Sequence, residues 1–225
     1  VIEAPAAARL LVDAGPGTGK TAVACARLGN LIATDQIQPS QTWMISFTRT
    51  AVAEIRARLR SYVGEAAYAV KVATLDAHAW TIHSGFDEQA GLTGSYEQNI
   101  ERVLELVRTD GEVLDYLENV EHFVVDEAQD LVGVRAELVE AIISKLAPDC
   151  GVTVFSDQAQ AIYGFSEDEE PSSNGDIQPL VDCLRGKAAL GFKDTGLETI
   201  HRTSSRGLRS IFSEVRQTVL AGLTA

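Results

Sequence analysis

The sequence predicts an α/β fold, a mainly parallel β-sheet covered by helices on both faces. Three observations predict it. Short apolar runs rich in Val, Ile and Phe alternate with longer amphipathic stretches along the chain. Each run has the length and continuous hydrophobicity of a strand buried on both sides. The first run, Leu10-Leu11-Val12, breaks into a glycine-rich loop from Ala14 to Thr21, and an apolar helix follows at once. Strand–loop–helix order of this kind builds parallel sheets.

The elements follow in order. Thr21 to Ala33 is a helix whose Ala24, Cys25, Leu28, Leu31 and Ile32 make a wide apolar face. Asp35 to Gln41 is polar, contains Pro39 and reads as a loop. Thr42 to Phe47 is a second strand, and Thr50 to Arg60 a helix with Val52, Ile55 and Leu59 on one side. Val70 to Thr74 alternates as a third strand, followed by a short helix from Asp76 to His83. After a polar, glycine-bearing connection, Tyr96 to Arg108 turns Ile100, Val103, Leu104 and Val107 inward, and Glu112 to Leu117 forms another helix. His122 to Val125 is the fourth strand, Val134 to Leu146 a helix, and Val152 to Phe155 the fifth strand. Ser166 to Asp176 reads as a loop or linker carrying the acidic run Glu167 to Glu170. Leu197 to Ile200 starts a further strand, and Ser204 to Leu220 is a closing helix. Ligands of parallel sheets sit at the carboxyl ends of the strands, which puts Gly15, Phe47, Thr74, Asp126 and Ser156 on one rim.

Composition bounds the class. The 225 residues are 45% hydrophobic and 23% charged, an ordinary globular balance with room for one sizeable core. No apolar run approaches the ~20 residues of a membrane helix. The start has no basic region of a signal peptide and no Met, so a segment of a longer cytoplasmic protein is expected. Cys25, Cys150 and Cys183 lack metal-type spacing and read as buried small hydrophobes of a reducing compartment. The net charge of −13 argues against broad, sequence-blind adhesion to nucleic acid, but not against a local basic groove.

The chemistry starts in the loop. Gly15, Pro16, Gly17, Thr18, Gly19, Lys20 and Thr21 follow a buried strand and open a helix. Glycines let successive N–H groups approach a phosphate, and the helix N-terminus adds partial positive charge. Lys20 would reach the β- and γ-phosphates, and the Thr21 hydroxyl would ligate Mg²⁺. The fourth strand runs into Asp126-Glu127-Ala128-Gln129-Asp130. Asp126 would hold Mg²⁺ beside Thr21, and Glu127, pointing the other way from the pleat, would orient or deprotonate water. A solvated strand end or helix-capping cluster is the competing reading of that pair. The fifth strand leads to Ser156-Asp157-Gln158-Ala159-Gln160, where the Gln160 amide can both donate and accept. It suits a γ-phosphate sensor; local capping by Asp157 and Gln160 is the alternative.

AGPGTGKT, SFTRTAVAEIRARL, VATLDAHAW, VVDEAQD, SDQAQAIYGF and LETIHRTSS follow one another in this chain. The series resembles the motifs of UvrD/Rep-type superfamily 1 DNA helicases, from about Leu10 to Arg206. The resemblance implies a P-loop NTPase of RecA-like type, a three-layer α/β sandwich that uses ATP and Mg²⁺ and moves along single-stranded DNA. It implies roles for Lys20 and Thr21 at phosphate and magnesium, Asp126 at the metal, and Glu127 at the attacking water. It also implies Gln160 as γ-phosphate sensor and Arg202 as the arginine that completes the site across a cleft. For DNA it implies Phe47, Thr48, Arg49 and Thr74, with Tyr163 and Phe165 where an aromatic stacks on bases. For Phe47 and Tyr163, plain core packing stands beside DNA contact.

The chain departs from the family in places. Phe165 replaces the commoner Trp, Ser166 stands where an Arg often follows, and Leu75-Asp76 replaces Phe-His. About 37 residues, Ser84 to Val120, lie between the third-strand motif and the acidic one, so the helical insertion at 84–120 is expected to be reduced. Residues 1–195 are expected to form the motor domain, with 166–195 as loop or linker and 196–225 as the truncated start of a second motor domain. A transition-state arginine is worth roughly 10³–10⁵ in rate. The segment alone, expected to be monomeric and without membrane contact, should therefore bind Mg·ATP weakly, hydrolyse it slowly and unwind nothing. The run Glu167 to Glu170 would gate DNA if it lay within a Debye length of ~8 Å from the strand; a solvated loop is the alternative. A nucleotide-controlled interaction module is the second functional class. A small-molecule kinase fits less well, because the DEAQD stretch and Gln160 suit attack by water.

Overall fold

A computed structural model describes residues 1–87, 91, 95–160, 179–201 and 205–223. Among them six strands form one sheet: β1 (Arg9–Ala14), β2 (Thr42–Ser46), β3 (Lys71–Thr74), β4 (His122–Val125), β5 (Gly151–Ser156) and β6 (Lys193–Leu197). Their order is β3-β2-β4-β5-β1-β6, and every pairing is parallel. Helices α1 (Lys20–Ala33), α2 (Arg49–Val63), α3 (Leu75–Phe86), α4 (Tyr96–Thr109), α5 (Gly111–Glu118), α6 (Gly133–Lys145), α7 (Leu180–Gly186) and α8 (Arg206–Leu223) complete the described structure.

Strand alternation divides the interior into two cores. Leu11, Trp43, Ile45, Phe123, Val125, Val152 and Val154 face one side, where they meet apolar residues of α3 to α7. Their neighbours Leu10, Val12, Met44, Val124 and Phe155 face the other, against Ala24, Leu28 and Leu31 of α1 and Ile55 and Leu59 of α2. A strand flanked by helices on both faces has no solvent side, so β2, β4 and β5 are buried along their whole length. This is the expected three-layer α/β sandwich.

The described residues of the segment 84–120 pack within that arrangement. Its α4 begins with a capping box, in which Ser95 Oγ accepts from Gln98 N at 3.2 Å and Gln98 Oε1 accepts from Ser95 N at 2.9 Å. Ile100, Val103, Leu104 and Val107 of α4, with Val113 and Leu117 of α5, enter the first core.

The structure differs from the sequence expectation after β5. The stretch 166–195, expected to be loop or linker, contains α7, whose Leu180, Val181 and Leu184 are buried in the first core. Seven residues are too few to show helical periodicity in sequence. The last strand was expected at Leu197 to Ile200 but runs from Lys193 to Leu197, so the expected boundary after residue 195 falls inside it. β6 pairs with β1 from Leu10↔Lys193 to Ala14↔Leu197, and backbone pairing rather than an apolar run makes KDTGL a strand. Half-buried Cys183 also departs from the expectation of three buried cysteines; Cys25 and Cys150 are buried.

The N-terminal segment is held by a fully buried arginine. Arg27 donates to the carbonyls of Val1 (2.9 Å), Ala4 (2.7 Å) and Pro5 (2.8 Å), and to Thr153 Oγ1 (3.1 Å). Where this segment crosses the start of β5, a Cβ on Gly151 would lie 1.8 Å from the Ala6 carbonyl oxygen, which only glycine avoids. No described helix is long and apolar enough to cross a membrane.

Candidate functional site

The glycine-rich loop lies between the end of β1 and the start of α1. Gly17 (φ 76°) and Gly19 (φ 86°) hold left-handed conformations, which an L side chain rarely adopts. Thr18 Oγ1 donates to the Gly15 carbonyl at 2.8 Å and closes the turn. Gly19 caps α1 without any side-chain acceptor, and no acidic residue stands in the first helical turn. The helix therefore presents its unpaired N–H groups and positive end to an anion.

Strand order brings the acidic residues to this loop. β5 lies between β1 and β4, so the ends of all three adjoin at the carboxyl rim. Thr21 Oγ1 donates to Asp126 Oδ2 at 2.8 Å. Lys20 Nζ lies 3.3 Å from Glu127 Oε2 and 3.4 Å from the Ala14 carbonyl. Lys20, Thr21, Asp126 and Glu127 thus converge. Asp126 is 3% exposed and caps no helix, which removes the solvated-end and capping readings for that residue; Glu127 stands at the N-cap position of the short turn Ala128–Asp130 but makes no side-chain capping bond. Burial, reinforced by the Glu127 charge, pushes the Asp126 carboxyl up to about 6 despite the Thr21 hydrogen bond.

The expectation that Glu127 points away across the pleat is corrected. Glu127 has φ 57°, and this left-handed residue ends strand alternation and turns its carboxylate onto Lys20. Gln129 Nε2 also donates to Glu127 Oε2, while Gln129 Oε1 accepts from Asp157 N at 3.1 Å.

One oxygen fits a cation. Asp126 Oδ1 is buried with no hydrogen-bond partner, in the same carboxylate that accepts from Thr21. A carboxylate and a hydroxyl are hard oxygen donors of the kind Mg²⁺ takes beside phosphates and water.

The end of β5 forms a local turn. Asp157 Oδ1 accepts from Ala159 N at 3.1 Å, and Gln160 N donates to the Asp157 carbonyl at 3.0 Å. Both residues therefore take part in the turn expected of the capping reading, and half-buried Gln160 stands at its end. Arg216 of α8 reaches the same place. It donates to both carboxylate oxygens of Asp13 at 2.6 Å, and its Nε lies 3.5 Å from Asp157 Oδ1. His201 N donates to the Gly17 carbonyl at 2.9 Å, and a cleft of about 520 Å³ separates Pro16 and Thr18 from Leu197, Ile200 and Arg216.

The remaining candidates lie farther along the rim. Ser46 and Thr74 are register partners, and Asp126 N donates to the Ile45 carbonyl at 2.9 Å, so the ends of β2, β3 and β4 are level. Phe47 is 56% exposed, which excludes core packing. Thr48 caps α2 by accepting from Ala51 N at 3.1 Å, and Thr74 caps α3 by accepting from Ala77 N at 3.3 Å. Arg49 is exposed at the first position of α2. Arg202, Tyr163, Phe165 and the run 167–170 lie outside the described residues.

Sequence reasoning missed Asp13 and Arg216, and it took Gln129 only as part of a stretch suited to water attack. The available signal was Asp13 itself, an acid directly after the apolar run Leu10 to Val12. Nothing local links residue 13 to residue 216.

Two comparisons bear on this arrangement. A sequence model of the UvrD/REP helicase N-terminal domain matches residues 2–101 and 89–170. Over 56 residues the chain is 45% identical to the ATP-dependent DNA helicase UvrD1 of Mycobacterium leprae, covering 25% of this chain and 7% of that protein. It is 43% identical over 65 residues to the UvrD1 proteins of Mycobacterium bovis and Mycobacterium tuberculosis, covering 29% of this chain and 8% of theirs. The aligned segments thus span under a tenth of these relatives. The domain match runs over most of the chain, through the loop, the acidic rim and the end of β5, and the chain belongs to the UvrD/REP helicase N-terminal domain family.

Proposed function

We propose that this domain binds and hydrolyses ATP, and that hydrolysis drives movement of the whole protein along single-stranded DNA. The observation that carries this reading is the convergence of Lys20, Thr21, Asp126 and Glu127 on one loop, with a buried, unpartnered oxygen on Asp126. Family membership supports it, and the names of the UvrD1 relatives point to DNA as the track.

On this reading Lys20 exchanges its Glu127 partner for the β- and γ-phosphates, while the open N-terminus of α1 and the loop from Gly15 to Thr21 cradle the rest. Thr21 and Asp126 would hold Mg²⁺, which supplies charge neutralisation on the phosphate oxygens. Glu127, released from Lys20, accepts the proton of the attacking water, and Gln160 orients that water against the γ-phosphate. Residues after β6 begin a second motor domain, whose Arg202 neutralises transition-state charge. The bond from His201 N to the Gly17 carbonyl supports this, since it holds His201, the residue before Arg202 in sequence, on the phosphate loop. Phe47, Thr48, Arg49, Thr74, Tyr163 and Phe165 contact the DNA strand, with stacking on exposed Phe47 giving grip without sequence preference.

The test is ATP hydrolysis with and without single-stranded DNA. Mg²⁺-dependent hydrolysis stimulated by the strand is expected. Nucleotide binding without hydrolysis, unchanged by DNA, would favour a nucleotide-controlled interaction module.

A further inference from the structure

We infer that Gln129 is a positioning residue that holds the Glu127 carboxylate in register with the turn at the end of β5. The inference rests on the hydrolytic reading above.

Gln129 is buried in the short helical turn after β4, with both ends of its amide engaged. The orientation of that amide is determined by its partners. The backbone N–H of Asp157 can only donate, so it faces Oε1; the Glu127 carboxylate, when ionised, can only accept, so it faces Nε2. Glutamine is the side chain that serves both at this reach.

The chemistry of Glu127 gives the arrangement its consequence. Its backbone is left-handed, a conformation that a non-glycine residue keeps only when its surroundings enforce it. Lys20 and Gln129 both hold the same carboxylate oxygen, Oε2. When Lys20 turns to a phosphate, the Gln129 bond remains, and Oε1 is left for water. At its other end Gln129 grips Asp157, whose carbonyl accepts from Gln160 N. Two bonds through one amide therefore set the water-activating carboxylate and the γ-phosphate sensor in a single frame, where a displacement of about 1 Å can cost on the order of 10²-fold in rate.

Two variants separate positioning from support of the fold. Gln129→Glu keeps an acceptor for Asp157 N but offers no donor to Glu127 when ionised. Gln129→Leu removes both bonds. Steady-state hydrolysis of Mg·ATP with single-stranded DNA and titration with a fluorescent ATP analogue are read beside thermal melting. The expected result for Gln129→Glu is kcat lower by on the order of 10²-fold, with KM and analogue affinity within about threefold of the parent and only a modest fall in melting temperature from the added buried charge. Gln129→Glu turning over at the parental rate would overturn the inference, as would a loss of kcat matched by equal losses in affinity and melting temperature. A readout free of hydrolysis keeps the two readings apart. The side-chain NH₂ resonance of Gln129 should move in a Glu127→Ala variant. An unmoved resonance overturns the positioning inference, whereas a parent chain that hydrolyses no ATP overturns the proposed function.

Discussion

The phosphate-loop end of the rim and its β2–β3 end are built in opposite ways. At the first, Lys20 and Asp126 are buried, Lys20 pairs with Glu127, and Gln129 links Glu127 to Asp157 by hydrogen bonds. At the second, Phe47 and Arg49 are exposed, while Thr48 and Thr74 spend their hydroxyls on helix caps. A site that stabilises a transition state needs fixed dipoles that do not reorganise during reaction. A surface that grips successive bases and releases them needs exposed area and no fixed register.

Substitutions should separate the two ends. The largest effect is expected from Lys20→Ala. Hydrogen bonds to charged groups are worth about 1.5–3 kcal/mol, so affinity for Mg·ATP should fall roughly 10- to 150-fold, read by nucleotide titration, with DNA binding retained. Phe47→Ala should do the reverse. Stacking is worth about 1–3 kcal/mol per base, so single-strand affinity should drop about tenfold, while ATP affinity and melting temperature hold. Equal loss of both affinities in either variant would dissolve the distinction.

A third prediction concerns pH. Burial pushes His122 down to about 3, with the Arg27 charge adding to it, and pushes His78 down to about 4. Both stay neutral in the fold but protonate near 6.5 once unfolded. Their lowered folded values mean that stability is retained above about pH 6.5 and lost as pH falls toward 4, at roughly 1.4 kcal/mol per pH unit for each histidine. Asp126, whose folded value is raised to about 6, works in the opposite sense over the same range, so urea melts at pH 7 and pH 5 should show a net loss smaller than the two histidines alone would give, and His122→Asn should reduce it further. Smallest is the cap at the β2–β3 end. Thr74→Ala should cost about 1 kcal/mol in a melt, and Thr74→Ser should recover most of it.

How far the sequence reached depends on where each constraint lives. The phosphate loop and its two flanking elements are contiguous, and strands such as His122 to Val125 are continuous apolar runs, so both are legible. The convergence of Asp126 with Thr21 follows from strand order, and the ends of the expected strands already placed Gly15 and Asp126 on one rim. The direction of Glu127 was hidden because a left-handed φ, absent from any pattern of residue types, ends the alternation. Short α7 and polar β6 were hidden because one is shorter than a reliable helical period and the other owes its existence to β1. The grip of Arg216 on Asp13 joins residues 203 apart in the chain, which no local pattern records.

The central claim, that Glu127 serves the chemical step and not nucleotide binding, is tested most directly by Glu127→Gln. Affinity for Mg·ATP and the DNA-stimulated turnover rate would be measured on the same preparation. The account predicts affinity equal to the parent or tighter, since Lys20 loses a competing partner, with turnover lower by roughly 10²–10⁴-fold. Turnover at the parental rate would contradict it.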